Sequence, residues 1–229
     1  NLTKQPNRLF LIDYTNALFM AHRQLEGDVA FVYIDIDRFK SVNDAFGHHI
    51  GDELLVKLAQ RLHHQLLASQ KLIRIGGDEF LLIIENTTQA QTEEIAAALL
   101  HTVQEGFKIS GKEINISASI GIVLYPKHGN GLQDLLINAE AAMMQSKEQG
   151  RNTYSIYNDS IDKQQSNRSQ SKLINDLYRA VEEHQFVLLY QPKFTADYKI
   201  CGVEALIRWK HPNLGLLAPS MFIDGAEQT

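Results

Sequence analysis

Residues 72–85 read LIRIGGDEFLLIIE, which is two apolar runs joined by a pair of glycines and a pair of acids. A Gly-Gly pair between such runs is typical of a tight β-hairpin turn, because glycine accepts the positive φ angles that these turns need. A structural turn has no need of two adjacent carboxylates, which lose hydration when a sheet is built around them. The stretch therefore predicts a hairpin in which Asp78 and Glu79 bind a cation.

The segments around this hairpin predict the order β-α-β-β-α-β with an extra helix pair. Apolar residues alternate in the strands and recur at helical spacing in the helices, and Thr88 with Gln91 matches a capping box. This order is the split βαβ, or ferredoxin-like, arrangement of the α+β class, an antiparallel-containing sheet with helices on one side. The predicted elements are helix 7–24, strand 29–35, helix 50–66, hairpin 72–85, helix 88–105, strand 114–125, helix 132–149 and strand 152–157.

A polar stretch separates two predicted domains. Residues 158–170 are polar except for Ile161, which is typical of a solvated connector. We therefore predict a first domain at 1–157, a linker at 158–170 and a second segment at 171–229. Within that segment the patterns predict a helix at 172–183, a strand at 186–191 that Pro192 stops, and a strand at 201–209.

Composition limits the class of protein. The 229 residues are 44% hydrophobic, enough for one full core and the beginning of a second. The net charge of −5 argues against generic nucleic-acid binding, so an anionic ligand needs a local cluster of basic groups. No apolar run approaches the ~20 residues of a membrane span, so we expect no membrane contact in this piece. The single cysteine, Cys201, fits a reducing compartment and favours the cytoplasm.

Three carboxylates are predicted to meet at one edge of the sheet. Asp35 ends one strand, and Asp78 with Glu79 opens another. Hard oxygen ligands of this kind suit Mg²⁺ or Mn²⁺. Gly76 and Gly77 have no side chains, so phosphate oxygens can approach the backbone N–H groups of the turn. Taken alone, the turn fits a plain hairpin with solvated acids equally well.

Two further stretches contain groups that bind polar ligands. Residues 38–52 are rich in side chains able to bind a base and a phosphate, and Lys147 and Arg151 lie four residues apart around a predicted helix end. In isolation, these two cations are better explained as complementing the dipole at the helix terminus.

Together, these motifs resemble the GGDEF family of diguanylate cyclases over about residues 2–157. Several spaced motifs in one order make a chance match improbable. The matching stretches are DIDRFK at 35–40, ND at 43–44, FGH at 46–48, GD at 51–52, RIGGDEF at 74–80, SIG at 119–121 and KEQGRN at 147–152.

The resemblance implies a reaction and a set of site residues. Two facing domains, each with one GTP, would join them into cyclic di-GMP, so a homodimer is implied. The implied catalytic residues are Asp78 and Glu79. The implied ligands of two Mg²⁺ or Mn²⁺ ions per half-site are Asp35, Asp78, Glu79 and the carbonyl of Ile36. The implied GTP-binding residues are Phe39, Lys40, Asn43, Asp52, Gly76, Gly77, Lys147 and Arg151, with Asn43 and Asp52 on the guanine and the three cations on the terminal phosphates.

One motif of the family is absent. The family's product-inhibition motif, Arg-x-x-Asp ahead of the glycines, corresponds here to Leu67 and Gln70. Neither charge is present, so we expect no inhibitory site.

The C-terminal segment resembles the opening of an EAL domain, the cyclic di-GMP phosphodiesterase family. The resemblance rests on YQPK at 190–193, GVEALIRW at 202–209 and HP at 211–212. It implies that Glu204 is a metal ligand and that Gln191 and Arg208 contact ligand. A TIM-type barrel needs ~250 residues, so this segment is expected to be incomplete and inactive alone.

The sequence therefore favours a diguanylate cyclase domain in a two-domain GGDEF-EAL signalling protein, which could attach to a membrane through an upstream region. Two alternatives stay open. The first domain could bind GTP without turnover and control the adjoining phosphodiesterase, or the whole protein could be chiefly a phosphodiesterase.

Overall fold

The computed structural model describes residues 2–21, 27–67, 69–158, 160–161, 176–177, 179–195, 198–213, 215–219 and 222–223. The chain divides into two compact units, residues 1–162 and 163–229. The predicted linker at 158–170 lies mostly outside the described residues, so the predicted domain boundaries stay a prediction. No helix in the described part combines the length and the apolar character needed to cross a bilayer.

The first unit is a sheet with helices packed against it. Its helices are α1 (Arg8–Ala21), α2 (Phe39–Phe46), α3 (His48–Gln65), α4 (Gln89–Gln104) and α5 (Leu132–Glu148). Its strands are β1 (Asp28–Ile36), β2 (Lys71–Gly76), β3 (Glu79–Thr87), β4 (Phe107–Ile109), β5 (Lys112–Ile114), β6 (Ala118–Tyr125) and β7 (Thr153–Ile156).

Two elements differ from the sequence prediction. The prediction missed α2, which Gly47 separates from α3 through a φ of 87°. The predicted strand 114–125 is shorter, because residues 107–114 form the small β4–β5 hairpin around a turn in which Ser110 and Gly111 have positive φ. The helical spacing of Phe39, Val42 and Phe46 was the signal for α2.

The central sheet has the predicted ferredoxin-like order. Its strands lie in the order β2-β3-β1-β6-β7, with β1 antiparallel to both of its neighbours and β7 parallel to β6. The β2–β3 hairpin pairs Gly76 with Glu79 across a turn in which Gly77 has a φ of 35°. The glycine turn therefore forms where the sequence predicted it.

Helices cover both faces of this sheet, whereas the element order alone suggested one. Every residue of β1 from Val29 to Ile36 is buried. Its even-numbered residues pack in one apolar cluster with α3 and α4, and its odd-numbered residues 29, 31 and 33 pack in another with α1 and α5. A strand that is apolar on both faces needs a layer on each side, which is why the uninterrupted apolar run in β1 calls for two helical layers.

Two local features hold the helices in place. The predicted capping box at α4 is confirmed, because Thr88 and Gln91 each accept a hydrogen bond from the backbone N–H of the other. Gly121 lets α5 lie directly on β6, since a Cβ there would overlap the Ala139 carbonyl and the Met143 backbone. This close packing brings the end of α5 to the edge of the sheet where β1 ends.

The second unit contains an open antiparallel sheet of β8 (Phe186–Phe194), β9 (Ile200–His211) and β10 (Gly215–Leu217), in the order β10-β9-β8. Of the helix predicted at 172–183, residues 176–177 and 179–183 are described, and all of these except residue 183, which lies in a turn, are helical. Pro192 lies inside β8 instead of stopping it. The position of β8 at the edge of the described sheet accounts for this, since a proline there need not break a ladder hydrogen bond. Trp209 is fully buried beside Phe186 and Phe222.

Candidate active site

The acidic cluster lies where β1 ends and β3 begins. Asp35 is opposite Glu79 in the β1–β3 register. The backbone N–H of Ile36 donates to the carbonyl oxygen of Asp78 at 3.4 Å. The structure thus brings Asp35, Asp78 and Glu79 to one edge of the sheet.

Asp35 is the most buried acid of this cluster and has a cationic neighbour. Lys147 Nζ lies 2.7 Å from its Oδ1, and 12% of the Asp35 side chain is exposed. Burial raises the pKa of Asp35, and the charges of Asp78 and Asp37 raise it further, while Lys147 opposes the rise. The lysine therefore offsets only part of the cost of holding this carboxylate ionised.

Glu79 lies among groups that disfavour its charge. Burial raises its pKa, and the negative charges of Asp35, Asp78 and Glu140 add to this, whereas a hydrogen bond from Tyr33 opposes it. Burial and the neighbouring carboxylates likewise raise the pKa of Tyr33, so its hydroxyl stays protonated and donates. The edge of the sheet thus concentrates negative charge that a bound cation would neutralise.

The donor chemistry of this edge fits a divalent ion. Among the described residues, no three His, Cys, Asp or Glu side chains are placed as a metal cage. Mg²⁺ rarely uses such a cage, since it is usually bound by one or two carboxylates together with the phosphates of a substrate. Two carboxylates under mutual repulsion beside a glycine turn fit that mode of binding.

The two cations at the end of α5 contact different acids. Lys147 pairs with Asp35, whereas Arg151 Nε lies 3.9 Å from Asp37 Oδ1. About 43% of the Arg151 side chain is exposed. Both cations therefore neutralise carboxylates at the end of β1, which the helix-dipole explanation does not require.

Asn43 and Gly51 form a tight contact between α2 and α3. A Cβ at position 51 would overlap Asn43 Oδ1. This oxygen is buried and has no hydrogen-bond partner in the described part of the chain. A buried, unpaired acceptor costs about 1–3 kcal/mol, so a ligand that donates to Asn43 would recover that cost. Asp52 is the next residue along α3 and is exposed.

The glycine turn is held by Arg74, a side chain to which the sequence analysis assigned no role. Arg74 donates from Nε and Nη2 to the Gly77 carbonyl, at 3.0 and 2.6 Å. Gly77 is exposed and Gly76 half-buried, and a Cβ at either would meet nothing within 4 Å. The turn is therefore fixed in shape and open to a ligand.

Phe39 and Lys40 begin α2 and point to opposite environments. Phe39 is 9% exposed and packs in the core beneath Gly51. Lys40 is exposed and has no ion-pair partner among the described residues.

Comparison with known families agrees with this geometry. The family model described as "Diguanylate cyclase, GGDEF domain" matches residues 1–153. The chain belongs to the GGDEF family. The EAL domain model matches residues 174–229, so a partial EAL segment follows the GGDEF domain.

Of two curated relatives, one is named as both a diguanylate cyclase and a cyclic di-GMP phosphodiesterase, and the other as a phosphodiesterase alone. The chain is 43% identical over 230 residues to the bifunctional diguanylate cyclase/cyclic di-GMP phosphodiesterase MucR of Pseudomonas aeruginosa, covering all of this chain and 33% of MucR. It is 38% identical over 201 residues to the cyclic di-GMP phosphodiesterase PdeR of Escherichia coli, covering 88% of this chain and 30% of PdeR. The chain thus spans about a third of the length of these curated relatives.

A solved GGDEF domain has the same fold. The GGDEF domain of YfiN from Pseudomonas aeruginosa superposes with a TM-score of 0.69 at 32% identity, covering 72% of this chain and 98% of that domain. The ferredoxin-like sheet with its surrounding helices is therefore the GGDEF fold.

In the EAL segment, the predicted site residues lie on the β8–β9 hairpin. Gln191 is opposite Glu204 in the strand register, and Glu204 pairs with Lys193 at 3.3 Å. Arg208 donates to the Ile207 carbonyl at 2.8 Å. The structure brings Gln191 and Glu204 together, and Arg208 lies opposite Val187, further along the hairpin.

The surface at Leu67 and Gln70 has an uncharged side chain at both positions. Leu67 is 67% exposed, and its backbone N–H donates to Gln70 Oε1 at 3.1 Å. The adjoining cleft of about 580 Å³ is lined partly by Glu85 and Glu94. Residue 68 lies outside the described residues.

Sequence reasoning missed two supporting residues of the GGDEF site, Arg74 and Asp37. Arg74 fixes the glycine turn, and its place two residues before the glycines was the available signal. Asp37 is 5% exposed and accepts hydrogen bonds from Ser117 and Ser119. No local signal identifies that role, because its partners are some eighty residues away along the chain.

Proposed function

We propose that this GGDEF domain is a diguanylate cyclase, which condenses two GTP molecules into cyclic di-GMP and two pyrophosphates. The observation that carries the proposal is the meeting of Asp35, Asp78 and Glu79 beside an open glycine turn, with Lys147 2.7 Å from Asp35. Concentrated carboxylates with a nearby lysine are what a nucleoside triphosphate with its divalent ion requires.

The chemistry is a pair of in-line displacements. In each, the 3′-hydroxyl oxygen of one GTP bonds to the α-phosphorus of the other, and the bond from that phosphorus to the bridging oxygen breaks. Pyrophosphate takes the electron pair and leaves. The hydroxyl proton passes to a carboxylate, for which Glu79 is suited because it has no ion-pair partner among the described residues.

The residues that would hold Mg²⁺ or Mn²⁺, two ions per half-site, are Asp35, Asp78 and the carbonyl of Ile36, with Glu79 in support. When bound, such ions activate the attacking oxygen and stabilise the leaving oxygens.

The nucleotide is recognised at its two ends. The unpaired Oδ1 of Asn43 accepts a guanine N–H, and Asp52 accepts another. Lys40, Lys147 and Arg151 bind the terminal phosphates, and the backbones of Phe39, Gly76 and Gly77 lie beside them. Each domain holds one GTP, so a homodimer with facing half-sites is required. We place this reaction in the cytoplasm.

The test is to incubate the protein with GTP and Mg²⁺ and to measure cyclic di-GMP and pyrophosphate. We expect one cyclic di-GMP for two pyrophosphates, and neither from the Asp35→Ala variant. Product from Asp35→Ala at the unmodified rate would overturn the proposal.

A second candidate function is supported by the similarity to PdeR, which is named a cyclic di-GMP phosphodiesterase and is 38% identical to this chain. In that case the GGDEF domain binds GTP without turnover and controls an EAL phosphodiesterase, so that the whole protein chiefly degrades cyclic di-GMP. Saturable GTP binding without any product would select this candidate.

A further inference from the structure

Asp37 is a buried carboxylate that the proposed chemistry does not use. It follows β1 directly, and 2% of its side chain is exposed. The hydroxyls of Ser117 and Ser119 donate to its two oxygens at 2.6 and 2.7 Å. The backbone N–H of Asn152 donates to Oδ2 at 3.3 Å, and Arg151 Nε lies 3.9 Å from Oδ1. Donors from two separate segments thus converge on one acid.

The loop after α5 depends on this acid for its shape. Gly150, Arg151 and Asn152 have φ angles of 110°, 68° and 51°. Left-handed backbone is unfavourable for residues other than glycine, so Arg151 and Asn152 need outside contacts to hold them there. The backbone N–H of Arg151 donates to the Ser146 carbonyl at 3.1 Å, and that of Asn152 donates to Asp37. Asp37 therefore supplies one of the contacts that fix the loop.

Asp37 also fixes the start of α2. Its backbone N–H donates to the Ser117 carbonyl at 2.9 Å, and the next residue, Arg38, has a φ of 55° immediately before the helix. A cleft of about 580 Å³ has Asp37, Arg38, Ser41 and residues 150–152 in its lining. Asp37 thus joins the helix that carries Lys40, through its backbone, to the loop that carries Arg151, through its carboxylate.

We infer that Asp37 is a positioning residue, which fixes Arg151 relative to the start of α2 and thereby sets the affinity of the site for the terminal phosphates of the nucleotide. The inference rests on the proposed function, in which Arg151 and Lys40 bind those phosphates. Asp37 itself does not touch the nucleotide, because its oxygens are buried, already accept three hydrogen bonds and face the Arg151 side chain at 3.9 Å.

The experiment compares two probes by calorimetric titration with Mg²⁺: 3′-deoxy-GTP, which lacks the attacking hydroxyl, and GMP, which lacks the terminal phosphates. In Asp37→Asn, we expect affinity for 3′-deoxy-GTP to fall about tenfold, since a charge-assisted contact is lost. Affinity for GMP should stay unchanged. In turnover assays, KM for GTP should rise while kcat changes by less than about threefold.

A double-mutant cycle separates positioning from a general structural role. On an Arg151→Ala background, Asp37→Asn should have almost no further effect on 3′-deoxy-GTP binding, because the side chain that it positions is gone. Fully additive losses would overturn the inference. If Asp37→Asn does not fold, the Ser117→Ala/Ser119→Ala double variant keeps the carboxylate and should show a smaller loss of the same kind.

The outcomes also separate this inference from the proposed function. If the unmodified protein binds 3′-deoxy-GTP no better than GMP and makes no cyclic di-GMP, the proposed function and the inference fail together. If it binds the triphosphate tightly and makes product, but Asp37→Asn and the serine variant both keep that affinity, the inference alone fails.

Discussion

Each of the two units places a candidate metal-binding carboxylate beside a lysine, in opposite surroundings. In the GGDEF domain, Lys147 and Asp35 lie 2.7 Å apart with 24% and 12% of their side chains exposed. In the EAL segment, Lys193 and Glu204 lie 3.3 Å apart with 59% and 51% exposed. The first pair lies on a sheet covered by helices on both faces, and the second on an open hairpin. Only the first arrangement holds charges where solvent does not screen them, so changes there should have large effects.

The largest expected effect is the loss of synthesis in Asp78→Ala. Its side chain is half-buried and belongs to neither apolar cluster of the domain, so the fold should persist, while several kcal/mol of charge stabilisation in the reaction are lost. We expect the rate of cyclic di-GMP formation to fall roughly 10³-fold or more. The matched variant Glu204→Ala should keep the full rate. If Asp78→Ala kept full activity and an unchanged circular dichroism spectrum, Asp78 would not be a residue of the active site.

The next largest expected effect is on the preference for GTP over ATP, and it is tested with one glycine substitution in each unit. Gly51→Ala would push a methyl group into Asn43 Oδ1, whereas a Cβ at Gly202 would meet nothing within 4 Å. Losing one buried hydrogen bond to the base costs about 1–3 kcal/mol. In calorimetric titrations of GTP and ATP, the preference for GTP should therefore fall roughly 5- to 150-fold in Gly51→Ala and stay unchanged in Gly202→Ala. Equal binding of both nucleotides by the unmodified protein would refute guanine selectivity.

The comparison of the two units also shows which features of the fold and of the candidate site the sequence could predict. The glycine turn and the capping box at Thr88 have local signals, and the convergence of Asp35 with Glu79 follows from strand ends meeting at one edge. The nucleotide contacts came from family resemblance alone. The role of Asp37 could not be predicted, because its hydrogen-bond donors at residues 117, 119 and 152 and its ion-pair partner Arg151 meet only after folding. Pro192 misled the strand prediction, since only the tertiary structure shows that β8 lies at the edge of the sheet formed by the described strands.

A smaller effect concerns stability and pH. Folding raises the pKa of Glu79, so the folded protein binds this proton more tightly than the unfolded chain does. The bound proton therefore stabilises the fold at low pH, and this stabilisation is lost as the pH rises through the raised pKa. At pH 7 without metal, Glu79→Gln should therefore be more stable than the unmodified protein.

Denaturant titrations at several pH values check this prediction. The gain from Glu79→Gln should shrink as pH falls and vanish below the ordinary glutamate pKa of about 4.3. Glu204→Gln removes only an exposed ion pair with Lys193, so it should change stability at pH 7 by less than about 0.5 kcal/mol. A loss of stability in Glu79→Gln at pH 7 would mean that the carboxylate is stabilised, and not strained, by its neighbours.

The smallest expected effect is on feedback by the product, and it concerns an exposed surface within the GGDEF domain itself. A ligand with two phosphates needs cations and hydrogen-bond acceptors there. Leu67 supplies no charge, and Gln70 Oε1 already accepts from the Leu67 backbone. The guanidinium of Arg74 is engaged by the Gly77 carbonyl, and Glu85 and Glu94 line the adjoining cleft. The surface at Leu67 and Gln70 is therefore solvent-exposed, as the EAL hairpin is. It also lacks the charges of the family's inhibitory site.

We accordingly expect added cyclic di-GMP to leave the cyclase rate unchanged apart from competition at the active site, with control resting on dimer formation instead. The Leu67→Arg/Gln70→Asp variant restores both charges of the missing motif, and it should gain inhibition that raising GTP does not relieve. Because exposed ion pairs contribute about 1 kcal/mol or less each, this gain should be modest and should weaken as salt is added. Strong noncompetitive inhibition of the unmodified protein at low micromolar cyclic di-GMP would show that this surface binds the product without the two charges. In that case, exposure alone would not decide which surfaces of the domain bind phosphate.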